Sequence, residues 1–327
     1  MSCNRNAGLM AGLLFSLLWG AALYAGDGGA APRAHPETNT HTKPAQAPPE
    51  RPIRVEVQLA LVNVSVIDPY NRFVTGLEKE DFKIYEDDEL QTISHFSTED
   101  VPISIGLIFD CSGSMADKID KSRMAVNQFF RTSNPADEFF LISFNDRPDA
   151  VSGFTHDPET LQSKLNFTEA KGRTALLDAI YLGLNEMRKA QYSRKVLLII
   201  SDGGDNHSRY TEGEIKSMVR EADVQIYGIG LFDLNFKSPE EREGPALLSD
   251  VTEVTGGRTF TISSPNELAD VATKIGIELR NQYVLGYRPT NPLRDGKWRK
   301  IKVKLNPPKG LPPLHVYAKT GYYAPTE

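Results

Sequence analysis

Residues 103–110 read Ile-Ser-Ile-Gly-Leu-Ile-Phe-Asp, and Cys111-Ser112-Gly113-Ser114-Met115 follows without a break. A continuous apolar run of this length marks a strand covered on both faces, as in a parallel sheet whose crossovers lay helices over either side. Beyond it, Met115, Ile119, Val126, Phe129 and Phe130 fall on one helical face, so the stretch reads strand, short polar loop, helix. KVLLIIS (195–201) and VQIYGIGL (224–231) repeat the strand pattern, FFLISF (139–144) reads as a neighbour, and Leu177, Ile180, Leu184 and Met187 share a second helical face. Alternation of this kind over residues 101–282 predicts an α/β, doubly wound, mostly parallel sheet with helices on both faces.

The flanks read differently. In 54–100, Val55, Val57, Leu59 and Leu61 alternate, then Val62, Val64 and Val66 alternate on the opposite phase, a slip of the kind a bulge produces. FKIYEDDELQTISHF (82–96) predicts a hairpin around Asp87-Asp88. In 283–327, Lys300 to Leu305 alternates cleanly. Residues 76–100 hold nine acids and two lysines, whereas 280–325 holds ten Lys/Arg and one acid. The two flanks are therefore expected to pair as one small all-β module, acidic hairpin against basic strands, with the α/β domain inserted between them. The alternative is two separate appendages with unrelated solvated charge.

Residues 26–53, rich in Pro, Ala, Thr and Gly, cannot bury enough surface to fold and read as a linker. Residues 1–25 read as an export signal: Arg5, an apolar stretch from Ala7 to Ala25, then small residues with cleavage placed after Ala25. Those ~19 apolar residues (7–25) are also just long enough for a membrane anchor. Cleavage would leave Cys111 as the one cysteine, so no intramolecular disulfide forms, which suits a secreted, periplasmic or cell-surface bacterial protein. The net charge of −6 offers no case for nucleic acid.

Three pieces carry chemistry: Asp110-Cys111-Ser112-Gly113-Ser114, Gly172-Arg173-Thr174-Ala175, and Ser201-Asp202-Gly203-Gly204-Asp205-Asn206. Each lies at a strand's carboxyl end or a helix's amino end, the edge where open α/β sheets bind ligands. Two carboxylates and three hydroxyls are hard oxygen donors that suit Mg²⁺ and do not suit zinc. No HExxH, GxSxG or phosphate-loop motif is present, and Ser114 and Lys118 are four apart rather than the three of a Ser–x–x–Lys hydrolase, so no enzyme is expected.

On DCSGS, GRTALLDAI and LIISDGGDN, taken in that order, residues 101–282 resemble the von Willebrand factor A family with its metal-ion-dependent adhesion site. The resemblance implies a Rossmann-like, six-stranded sheet in the order 3-2-1-4-5-6. It implies Ser112, Ser114 and Thr174 on a Mg²⁺ ion (or Mn²⁺ or Ca²⁺), with Asp110 and Asp202 holding it directly or through water. A protein partner's acidic side chain would complete the coordination. The flanks, VSVIDPYNRFVTGLEKEDFKIYEDDELQTISHF and LRNQYVLGYRPTN with GYYAP, look similar to the von Willebrand factor A-related proteins of acidobacteria. The expected function is cation-dependent protein binding, as an adhesion or scaffold protein. The alternative is an envelope-assembly subunit whose metal only stabilises loops. Cys111 is expected to be a buried packing residue, Asp178 to bond a neighbouring loop and Asp205 to shape a turn.

Overall fold

The computed structural model describes residues 59–202, 204–232, 239–262 and 264–326. The export signal or anchor, the linker and the first residues of the 54–66 run lie outside them. In chain order the first strands are β1 (Ala60–Ile67), β2 (Phe82–Glu86), β3 (Glu89–Gln91), β4 (Ile93–Ser97), β5 (Ser104–Asp110), β6 (Glu138–Phe144) and β7 (Pro148–Thr155). They are followed by β8 (Lys195–Ser201), β9 (Gln225–Leu231), β10 (Thr259–Ile262), β11 (Tyr283–Tyr287), β12 (Trp298–Leu305), β13 (His315–Ala318) and β14 (Gly321–Tyr323). The helices are α1 (Ile119–Phe130), α2 (Pro158–Asn166), α3 (Leu176–Glu186), α4 (Glu212–Glu221), α5 (Pro239–Glu253) and α6 (Leu268–Arg280). Among the described residues no helix is long and apolar enough to cross a membrane.

The continuous apolar runs become β5, β8 and β9, and every residue of β5 and β9 is buried. They lie in a six-stranded sheet of order β10-β9-β8-β5-β6-β7. Numbered within the α/β part alone, that is 3-2-1-4-5-6 read from the β7 edge. All pairings are parallel except β6 with β7. Alternate residues of β5 feed two cores: Ile105, Leu107 and Phe109 pack with α1 and α6 on one face. Ile108 packs with α3, α4 and α5 on the other. The α/β, doubly wound, mostly parallel architecture is thus the observed fold.

The flanking segments interleave as two four-stranded sheets, β13-β1-β11-β4 and β14-β12-β2-β3, packed about one core. Antiparallel β1 meets β11 across Val62↔Leu285 and β2 meets β12 across Ile84↔Val303. Positive φ at Asp87 (48°) and Asp88 (67°) closes the β2–β3 hairpin, a backbone state Asp tolerates better than most residues. The predicted hairpin is shorter than its text, because Ile93–Ser97 leaves as β4 to join the other sheet.

One sequence expectation fails here. Over the described residues β1 pairs without a register shift, and Leu61 is the solvent-side alternate of the same regular strand that buries Val62, Val64 and Val66. The shift in that sheet falls instead between Gly286 and Tyr287 of β11. The acidic hairpin does lie beside the basic strand: β2 pairs with β12, Glu86 stands opposite Ile301, and Asp87 both donates its N–H to Lys300 O (2.9 Å) and accepts the Lys300 N–H on Oδ1 (2.9 Å). Farther along, Lys302 faces Tyr85, and Lys304 faces Lys83 while its ammonium lies 4.9 Å from the Tyr85 ring centroid. The join is made by the apolar face and by buried Glu86, which accepts from the hydroxyls of Tyr287 (2.7 Å) and Tyr322 (2.9 Å). Burial and that carboxylate together push both tyrosines well above their usual range.

A second buried polar knot joins the β sandwich to the α/β part. Glu278 of α6, fully buried, accepts from Arg258 Nε (3.0 Å) and Nη2 (2.8 Å) and from the Tyr227 hydroxyl (2.8 Å). Arg258 stacks on Phe260, 4.2 Å to its centroid, and donates to Asn71 Oδ1 (3.2 Å). Gln282 Nε2 donates to Ser65 of β1 (3.0 Å) and to Gln225 of β9 (3.1 Å).

Candidate metal centre

The chain runs from β5 out to β6 and β7, then returns to lay β8 on the other side of β5. The switch in strand order falls between β5 and β8, and the carboxyl ends of such strands are where open α/β sheets bind ligands. Parallel register (Ile108↔Ile199, Phe109↔Ile200) brings Asp110 and the Ser201-Asp202 pair out at that one edge.

Asp110 is fully buried; its Oδ1 accepts the Ser112 N–H (2.8 Å) and its Oδ2 the Ser201 hydroxyl (2.6 Å). Burial, and then the charge of Asp202, push its carboxyl up to about 7 against the pull of those bonds. Ser112 Oγ and Ser114 Oγ stand 3.1 Å apart at the start of a single 3-10 turn, Gly113–Met115. Asp202 is buried, and its Oδ2 accepts the Lys118 ammonium at 3.0 Å. Thr174 arrives from the middle loop, buried, at the start of α3.

That loop is clamped from both sides by backbone. Gly113 N–H donates to Gly172 O (3.0 Å) and Lys171 N–H to Cys111 O (2.8 Å). Thr174 N–H donates to Asn206 Oδ1 (3.0 Å), while its carbonyl accepts from the N–H groups of Asn206 (3.0 Å) and His207 (3.1 Å). Gly172 holds φ at +83°, and a Cβ there would lie 2.5 Å from Asp146 Oδ2. Asp146 Oδ1 in turn accepts the Arg173 N–H (3.0 Å).

Residues 105–204, which contain Asp110, Ser112, Ser114, Thr174 and Asp202, match the family model described as the von Willebrand factor type A domain. Over those residues the chain carries a von Willebrand factor type A domain. No curated protein matches the chain. The fold is similar to that of a von Willebrand factor type A protein from Catenulispora acidiphila (12% identity, TM-score 0.47, 82% of this chain and 74% of that one). It is similar also to the vWF domain of the type V pili tip protein Mfa5 from Porphyromonas gingivalis (14%, TM-score 0.43, 55% and 96%). A third is the PilB minor pilin from Streptococcus sanguinis (14%, TM-score 0.46, 57% and 63%), of which the chain thus spans under two thirds.

Around the A domain's loop edge the other acids are structural. Asp178 accepts the N–H groups of Arg209 (2.8 Å) and Tyr210 (3.2 Å) and the Arg209 Nε (3.1 Å). Asp205 accepts the N–H groups of Leu177 (2.9 Å), His207 (3.3 Å) and Ser208 (3.1 Å). His207 Nδ1 lies 3.2 Å from Arg173 Nη1. Cys111 is buried, and burial pushes its thiol up to about 11. Among the described residues no group of three or more His, Cys, Asp and Glu side chains is placed to hold a metal. An ion at this edge must therefore draw on hydroxyls, and the donor set of Asp110, Asp202, Ser112, Ser114 and Thr174 is of that kind: all oxygen, with two carboxylates. Residues whose roles sequence reasoning missed are Ser201, which holds Asp110; Asn206, which clamps Thr174; and Lys118, considered only for its spacing to Ser114.

Proposed function

We propose that the A domain binds a divalent cation, Mg²⁺ (or Mn²⁺ or Ca²⁺), through Asp110, Ser112, Ser114, Thr174 and Asp202, and uses it to capture an acidic side chain of a protein partner. The supporting observation is the meeting of two buried carboxylates and a close hydroxyl pair at the switch point of the sheet. When bound, the ion supplies an electrophilic point that attracts a partner's carboxylate. The chain's own part is to hold oxygens: Ser201 and the Ser112 N–H aim Asp110, and the 3-10 turn presents Ser112 and Ser114 side by side. Only two acids contribute, so a dication keeps the capacity to take a further negative ligand.

The rival in which the ion merely orders the loops is less well supported, because the three loops are already joined by their own hydrogen bonds. Ligation rather than turnover suits the side chains too. Ser112 and Ser114 hydrogen-bond one another, and Lys118 is directed to Asp202 rather than to a serine hydroxyl. With the apolar stretch of residues 7–25, this reading places the A domain outside the cell or at its surface, as an adhesion or scaffold protein.

Calorimetric titration of the full chain with MgCl₂ tests it. Micromolar-to-millimolar binding is expected, lost in Asp110→Ala while the circular dichroism spectrum is retained. Wild-type affinity in that variant would sink the assignment. Partner capture abolished by EDTA separates the binding reading from the loop-stabilising one.

A further inference from the structure

Asp202 already carries a cation of the protein's own. Lys118 Nζ donates to its Oδ2 at 3.0 Å, with the two side chains 20% and 8% exposed. Among the described residues Lys118 pairs with no other acid and Asp202 with no other base. The Lys118 backbone is fixed: its N–H donates to Met115 O (2.9 Å), and its carbonyl accepts the N–H (3.0 Å) and hydroxyl (3.1 Å) of Ser122. The four-carbon stem is free to move, and the side chain is partly exposed.

We propose that Lys118 is a tethered counter-ion that occupies the Asp202 carboxylate until a divalent cation displaces it. The inference rests on reading the cluster as a metal centre. Two carboxylates at one buried edge repel each other, and the ammonium relieves this in the ion-free protein. A dication and an ammonium on one carboxylate repel each other in turn, strongly where water is scarce, so the two exchange rather than coexist. Lysine suits the exchange, since a flexible stem carrying a point charge can withdraw where a bidentate guanidinium would hold. The centre's affinity is therefore set below what its oxygen donors alone would give.

Lys118→Met, with Lys118→Gln as a second neutral variant, tests this in the full chain by two measurements: calorimetric titration with MgCl₂, and thermal unfolding in EDTA and in saturating MgCl₂. The neutral variants should bind Mg²⁺ roughly tenfold more tightly or better, about one step of binding free energy. They should unfold below wild type in EDTA and at or above it in MgCl₂, and Lys118→Arg should bind no better than wild type. Unchanged Mg²⁺ affinity overturns the exchange while leaving the metal centre standing. An equal loss of melting temperature with and without Mg²⁺ overturns it as well, since a static salt bridge behaves that way. If neither wild type nor variants bind Mg²⁺, the metal reading fails and takes the exchange with it.

Discussion

Replacing Glu278 with alanine would strand Arg258 as a buried cation and leave the Tyr227 hydroxyl without its acceptor. Removing one partner of a buried ion pair costs about 3–5 kcal/mol, mostly the penalty of the charge left behind. Arg258 keeps some relief from the Phe260 ring at 4.2 Å and from Asn71 Oδ1 at 3.2 Å, so the lower part of that range, about 3–4 kcal/mol, is expected here. For a domain of this size each kcal/mol moves the melting temperature by about 2–4 °C, which gives a fall of about 6–16 °C. Urea unfolding followed by circular dichroism should show a lower midpoint with an unchanged slope. Glu278→Gln keeps an acceptor for Arg258 and Tyr227 and should lose only about 1–3 kcal/mol. The double change Glu278→Leu with Arg258→Met removes both charges and should be clearly less destabilising than the sum of the single changes, with a coupling of about 1 kcal/mol or more. A loss below about 1 kcal/mol in Glu278→Ala would refute the idea that Arg258 depends on this buried carboxylate.

Two further outcomes follow from the loop edge. Gly172→Ala places a Cβ in a left-handed backbone against Asp146, and should cost about 1–2 kcal/mol of stability in thermal unfolding. It should also weaken Mg²⁺ binding in titration, because Thr174 is two residues away on the same clamped loop. Cys111, with its thiol pushed up to about 11, is neutral at pH 8 to about one part in a thousand and is out of solvent. Peptide mapping after iodoacetamide should find it unlabelled in the folded protein and fully labelled in urea; the thiolate appears only as the pH approaches 11, so labelling of the folded chain at pH 8 would contradict its burial.

The sequence by itself determined the fold class, because short unbroken apolar runs such as 195–201 alternate with amphipathic helical segments, and that is a property of neighbours along the chain. The proposed donors, too, were named from the chain, since two aspartates and three hydroxyls at strand and helix ends are all hard oxygens. What lies opposite a residue was decided only in three dimensions. Lys118 meets Asp202 across 84 residues, Ser201 meets Asp110 across 91, and Glu86 meets Tyr287 across 201. In the flanks, net charge put the acidic hairpin beside the lysine strand, which it does join, but only the register set Lys304 opposite Lys83 and gave the buried Glu86 carboxylate to tyrosines. The physical reason is one of energies. Burying Val62, Ile84, Leu285 and Ile301 in one core contributes about 25 cal/mol per Å² removed from water, whereas an exposed cross-strand ion pair contributes less than about 1 kcal/mol. The apolar pattern therefore selects the register, and charges take whatever positions that register leaves them.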